Sequence, residues 1–107
     1  MVRLTSHIPP IIIYIMIRSF RDKDARALFE GMAVRRYRAI TKQIQNRLQY
    51  LDAAATLADL AGRPSNRFER LYGARKGQCS IRINDQWRLV FRWTDEGPED
   101  VEIIDYH

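Results

Sequence analysis

Cys79-Ser80-Ile81-Arg82-Ile83-Asn84-Asp85-Gln86-Trp87-Arg88-Leu89-Val90-Phe91-Arg92-Trp93 alternates apolar and polar residues on either side of a short polar break. A period of two marks a strand with one face buried. Cys79, Ile81 and Ile83 share one face, with Ser80, Arg82 and Asn84 on the other; after the break Trp87, Leu89, Phe91 and Trp93 share a face opposite Arg88, Val90 and Arg92. The break fixes the pairing. A two-residue loop at Asn84-Asp85 sets Arg82 against Trp87 and mixes the faces. A three-residue loop, Asn84-Asp85-Gln86, sets Ile83 against Trp87 and Ile81 against Leu89. A one-residue slip turns a strand over, so the pattern selects the three-residue loop. That register also puts Arg82 directly across from Arg88. Like charges facing each other on a sheet are unfavourable. Either an anionic ligand sits between them or an internal carboxylate neutralises them, with the acidic C-terminal strand as the obvious donor.

Outward from this hairpin, Gly97-Pro98 reads as a turn, and Val101 and Ile103 alternate with Glu102 and Ile104 in a third strand. On the N-terminal side, Ile17–Phe20 reads as a short strand. Asp22 is a good helix N-cap, and Ala25, Leu28 and Phe29 recur at helical spacing until Gly31. Ile40, Ile44, Leu48, Leu51, Ala55 and Ala58 form one face of an amphipathic helix running from about Val34 into the mid-fifties. Thr56 caps a further turn over Leu57–Ala61. Residues 62–77, rich in Gly, Pro, Ser, Asn and Arg, read as loop. Helices first and an antiparallel meander afterwards define an α+β domain: two N-terminal helices on a small antiparallel sheet, with the Ile40–Leu51 stripe against the apolar sheet face.

At 107 residues the chain holds one domain, and no repeat is visible. A single cysteine excludes an internal disulfide, and one Cys with two His is too few ligands for a structural zinc site. Gly73-x-x-x-Gly77 lacks the phosphate-loop pattern and precedes a strand. No nucleophile elbow is present, and the imidazoles are His7 and His107 alone. No metal or cofactor is expected. Residues 1–15, with Pro9-Pro10 before Ile11-Ile12-Ile13-Tyr14-Ile15, read as an extension outside a core of residues 16–107, with Met16 as an alternative start. The apolar run is too short to span a bilayer and no small-residue cleavage site follows it, so a reduced cytoplasmic setting is expected.

The net charge of +5 is unevenly spread. Residues 63–92 carry eight basic and two acidic side chains; residues 93–107 carry six acidic and no basic ones. All but three of the 18 basic residues are Arg, whose planar fork matches phosphate and stacks on bases. This favours a nucleic-acid partner over the alternative, an Arg-rich genome.

Four stretches resemble the HigB branch of the RelE/ParE superfamily, the toxins of bacterial toxin–antitoxin modules. They are Met16-Ile17-Arg18-Ser19-Phe20; Leu71-Tyr72-Gly73 followed by Arg75-Lys76-Gly77; Ser80 to Phe91; and the closing Val101-Glu102-Ile103-Ile104-Asp105-Tyr106-His107. The resemblance implies a compact microbial-ribonuclease-like fold and ribosome-dependent endonuclease cleavage of mRNA. It also implies neutralisation by a HigA-like helix-turn-helix antitoxin, with operator DNA reached only through that antitoxin. The family's functional Asp-Tyr-His ending maps onto Asp105, Tyr106 and His107, and its strand arginine onto Arg88. A family histidine before the Leu-x-Gly element falls at Glu69. Arg82, facing Arg88, suits phosphate charge and RNA contact. Arg67, Arg70, Arg75, Lys76 and Arg92 suit contacts to RNA backbone or ribosome. A gyrase inhibitor of the ParE kind, and a catalytically weak RNA-binding partner of an antitoxin, are the alternative readings.

Overall fold

The computed structural model describes residues 16–106; the expectations placed on residues 1–15 and on His107 lie outside them. Four antiparallel strands form one meander in the order β1-β2-β3-β4: β1 Glu69–Arg70, β2 Cys79–Arg82, β3 Trp87–Thr94 and β4 Gly97–Asp105. The β2–β3 register is the one the alternation requires, with Ile81 opposite Leu89 and Arg82 opposite Arg88. Asn84 closes the three-residue loop through its side chain, Oδ1 accepting from the N–H groups of Gln86 and Trp87, both at 2.8 Å. Asn favours turns for this reason.

One helical layer covers the apolar face. Helix α1 (Lys23–Phe29) starts where Asp22 Oδ1 accepts from the N–H of Asp24 at 2.8 Å and of Ala25 at 3.4 Å. Helix α2 (Thr41–Ala53) buries Ile44, Leu48 and Leu51 completely against Ile81, Leu89 and Phe91. Each such side chain contributes roughly 1.5–3 kcal/mol, and this shared core orients the hairpin. Helix α3 (Leu57–Ala61) opens on a reciprocal cap between Thr56 and Asp59.

Several expectations are corrected. The helix expected from Val34 is broken: Arg35–Ile40 is a 3-10 segment, and Tyr37 and Ile40 have non-helical backbone angles. Tyr37 is buried edge-on to Trp87, with ring centroids 5.3 Å apart, and its carbonyl accepts from Thr41 Oγ1 at 2.9 Å. The ring contact and the side-chain bond hold the backbone out of a continuous helix. Ala55 and Ala58 are exposed, and Ala54 and Leu60 are buried in their place. Ile17–Phe20 is not a strand. Phe20 makes one isolated parallel bridge to Val101, and backbone bonds from Arg18 to Pro98 and from Val101 to Ser19 hold the segment along β4. The turn after β3 is Asp95-Glu96, so Gly97 and Pro98 belong to β4. Gly97 is required there: at φ +125, a Cβ would lie 2.2 Å from the carbonyl oxygen of Met16, which crosses it. Residues 62–77 are not plain loop, for they contain β1 and two 3-10 turns.

Asp22 joins two layers, because its Oδ2 also accepts from the β4 amide of Ile103 at 3.1 Å. Asp22→Ala removes a helix cap and strands a partly buried amide, so it is expected to cost about 2–3 kcal/mol. Urea denaturation will read this as a lower midpoint with an unchanged slope.

Candidate active site

The β2–β3 register forces two guanidinium groups together on the sheet face turned away from α2, and the structure separates them. Arg82 reaches outward to the exposed carboxylate of Asp85. Arg88 turns inward and is 4% exposed. Its Nε donates to Ser80 Oγ at 2.8 Å, and its Nη2 donates to the carbonyl of Arg67 and, at 3.5 Å, to that of Ser80. Internal carboxylates face both guanidinium groups: Asp85 serves Arg82, and Glu69 Oε1 lies 3.9 Å from Arg88 Nη2. Glu102 of β4 pairs with Arg75 at 3.3 Å and Arg21 at 3.9 Å instead.

Tyr106 closes the group. The Arg88 guanidinium lies 4.9 Å from its ring centroid, within cation–π range, and its hydroxyl donates to Glu69 Oε1 at 3.0 Å. Arg88, Tyr106 and Glu69 thus make a triangle of cation, phenol and carboxylate from β3, the chain end and β1. Burial pulls the Arg88 pKa down; Glu69, then Tyr106, raise it again, while Arg82 and Arg67 lower it. An arginine keeps its proton under such shifts, so the group remains a fixed cation.

Asp105 and Tyr106 are positioned by the hairpin loop. The Tyr106 amide donates to the Gln86 carbonyl at 2.6 Å, Gln86 Nε2 donates to Asp105 Oδ2 at 3.1 Å, and Asp105 pairs with Trp87 across the strands. The carbonyl of Arg67 is aimed at Arg88 by a left-handed backbone, φ 43, after the Pro64–Asn66 turn. Buried Asn66 ties that turn to the Leu60 carbonyl at 3.1 Å.

Of the residues singled out in the sequence, Arg88, Glu69 and Tyr106 come together, and Asp105 lies next to them on the Gln86 loop; His107 is outside the described residues. Arg67, Arg70 and Lys76 are exposed on the segment leading through β1 into β2. Arg75 is tied to Glu102 and to Gln78 Oε1 at 3.2 Å, and Arg92 lies 4.0 Å from Asp100. The sequence reading missed Ser80, Gln86 and the Arg67 carbonyl. Ser80 alone left a signal: the register sets it opposite Val90, diagonal to Arg88, within reach of a long side chain. Cys79 is buried beside it, and burial pushes its thiol up against the opposing effect of Arg70, so it is no activated nucleophile. Among the described residues no three His, Cys, Asp or Glu side chains group to hold a metal ion, and no helix is long and apolar enough to cross a membrane.

Residues 18–107 match the family model described as the RelE-like toxin of the type II toxin–antitoxin system HigB. The chain belongs to the HigB-like toxin family. It is 44% identical over 84 residues to Toxin HigB-1 of Vibrio cholerae, covering 75% of this chain and 86% of the relative. It is 31% identical over 93 residues to Endoribonuclease HigB of Proteus vulgaris, covering 86% of this chain and all of the relative. In fold it is similar to YoeB from Staphylococcus aureus, with TM-score 0.52 and 19% identity over 88% of this chain and 98% of that one. YafQ from E. coli gives TM-score 0.51 and 16% identity over 84% and 91%. A toxin of a toxin–antitoxin system has a cognate antitoxin, which is therefore a partner of this chain.

In this HigB-like toxin Arg88 is anchored mainly by uncharged groups. Ser80→Ala removes a buried bond to a charged donor and is expected to cost about 1.5–3 kcal/mol. Glu69→Gln changes a half-exposed residue (46% side-chain exposure) and is expected to cost less than about 1 kcal/mol. Urea denaturation of the two variants will rank them; the reverse order would make the carboxylate the anchor.

Proposed function

We propose that this toxin is an endoribonuclease that cleaves mRNA on the ribosome without a metal ion, through Arg88, Tyr106 and Glu69 together with Asp105 and His107. The observation that carries this reading is a buried guanidinium held by fixed acceptors beneath a half-exposed phenol. Metal-free cleavage of RNA needs a base to take the 2′-OH proton, an acid to protonate the leaving 5′-oxygen, and a cation for the charge developing on the phosphate. Arg88 supplies the cation. Its Nε and Nη2 are engaged while Nη1 makes no hydrogen bond among the described residues, which leaves donors for a phosphate oxygen.

Glu69, Asp105 and His107 are the proton-transfer groups. Glu69 takes the family histidine's place and is coupled to the site through the Tyr106 hydroxyl. One face of the Tyr106 ring rests on Arg88, and the residue, 48% exposed, is suited to stack on a base of the bound message. The set is sparse, and positioning of the message by the ribosome is expected to supply much of the rate. Exposed Arg67, Arg70 and Lys76 provide salt-dependent contacts to RNA backbone, with Arg75, Arg82 and Arg92 contributing from their ion pairs. The toxin domain is residues 16–107, with residues 1–15 an extension outside it. The toxin works in the cytoplasm, is held in check by a HigA-like helix-turn-helix antitoxin, and reaches operator DNA only through that partner.

Purified ribosomes programmed with a defined mRNA provide the test. The wild-type chain is expected to cut the message in the decoding site. Arg88→Ala is expected to lower the single-turnover rate by about 10²–10³, the usual effect of removing one preorganised charge-stabilising group, and to relieve growth arrest on induction. Full cleavage by Arg88→Ala would overturn the assignment of Arg88. Intact messages with DNA breaks after wild-type induction would favour gyrase inhibition, and no product with ribosome binding retained would favour a catalytically inactive RNA binder.

A further inference from the structure

A second cationic site lies round the edge of the sheet from Arg88. Strand β1 pairs only with Cys79 and Ser80, so no strand lies beside Arg82 on that edge among the described residues. Arg47 of α2 takes the place: its Nε donates to the Arg82 carbonyl at 2.7 Å. The same guanidinium lies 5.5 Å from the centroid of the Tyr50 ring, and the Arg63 guanidinium lies 4.2 Å from that centroid. Both distances are within cation–π range. Two cations thus share one half-buried phenol, and neither takes part in an ion pair among the described residues. Arg47 is held by the sheet edge, and the backbone of Arg63 is restricted by Pro64, which opens the next turn. Beside the shared ring, Tyr50, Ala53, Ala54, Leu60 and Arg63 line a recess of about 320 Å³, together with Asp59. The Asp59 carboxylate is engaged in the α3 cap, accepting from the N–H groups of Ala55 at 2.9 Å and Thr56 at 3.1 Å.

We propose that this site holds one nucleotide of ribosomal RNA, with its phosphate on Arg47 and Arg63 and its base in the recess against Tyr50 and Leu60. Two uncompensated guanidinium forks match a phosphate, which accepts from both. The recess adds an aromatic ring and an apolar wall, the surroundings in which a splayed-out base is buried. Its place in the fold favours ribosomal RNA over the message. The site belongs to α2 and α3, and the chain leads from it to the active face through the Pro64–Asn66 turn and Arg67, whose carbonyl accepts from Arg88. Arg88 itself alternates away from the helical layer, since Leu89 and Phe91 point to α2. A message bound at Arg88 and Tyr106 therefore lies on the other side of the sheet, and an RNA that touches both layers is the one surrounding the message. The inference rests on the ribosome-directed reading above and adds to it a contact away from the cleaved phosphate.

The full chain is titrated onto ribosomes programmed with a message whose cleavage-site sugar is 2′-deoxy, so that binding is read without cleavage. Arg63→Ala is expected to weaken binding about tenfold and to lower the slope of log affinity against log salt by about one, as loss of a phosphate contact does. Arg63→Lys keeps the charge without the fork, and is expected to restore the slope but not the affinity. Tyr50→Leu is expected to weaken binding about tenfold with the slope unchanged, the signature of lost stacking. Tyr50 and Arg63 lie outside the buried core, and thermal melting will confirm that the variants fold. A photo-crosslinking amino acid in place of exposed Ala53, which lines the recess, is expected to give an adduct to ribosomal RNA. Wild-type affinity and slope in Arg63→Ala and Tyr50→Leu would overturn the inference. So would adducts confined to the message, to a ribosomal protein or to a second copy of the chain. Weakened binding in these variants of a toxin that cuts no all-ribose message would uphold the site and overturn the cleavage reading alone; a wild-type chain that binds no ribosome would overturn both.

Discussion

Two arginines must share one patch of sheet, and the shape of the active face follows from how they do so. The three-residue loop keeps the apolar faces of β2 and β3 in register, and the same register forces Arg82 against Arg88. A like-charged pair at that separation is destabilising unless the charges part. Arg82 goes out to Asp85 and solvent, and Arg88 goes in. Sending Arg88 inward carries a desolvation cost, seen in its lowered pKa, and the surroundings are built to offset that cost. A serine hydroxyl, two backbone carbonyls, a tyrosine face and a carboxylate all converge on one guanidinium.

The charge segregation of the sequence acquires a meaning in this arrangement. The basic block from residue 63 to 92 and the acidic run after it are adjacent strands of one sheet, and they partly neutralise each other through Arg75–Glu102 and Arg92–Asp100. Arg67, Arg70 and Lys76, exposed near the candidate site, take part in no ion pair among the described residues.

Much of this was legible because it is local. The hairpin register follows from a period of two, the cap of α1 from Asp22, and the cap of α3 from Thr56 with Asp59 three residues later. The interruption at Tyr37 was hidden, because apolar spacing continues through it and the cause is a ring contact with Trp87, fifty residues on. β1 was hidden because two residues cannot show alternation. At the site, Arg88, Tyr106 and Glu69 were legible as chemistry, but nothing in the sequence aims the Arg67 carbonyl at Arg88. That depends on a left-handed residue after a short turn, 21 residues away in the chain. Gln86 was read as a loop residue, and its hold on Asp105 exists only once β4 has paired with β3.

The proposed role of Arg88 is that of a preorganised cation for the scissile phosphate. The most direct measurement is a structure of the toxin on a ribosome carrying mRNA with a 2′-deoxy substitution at the cleavage position, so that the message binds uncut. In that complex Arg88 is expected to remain bonded to Ser80 and the Arg67 carbonyl, with Nη1 about 3 Å from a non-bridging oxygen of the phosphate. A phosphate seated elsewhere, with Arg88 unmoved and facing only its protein partners, would contradict it.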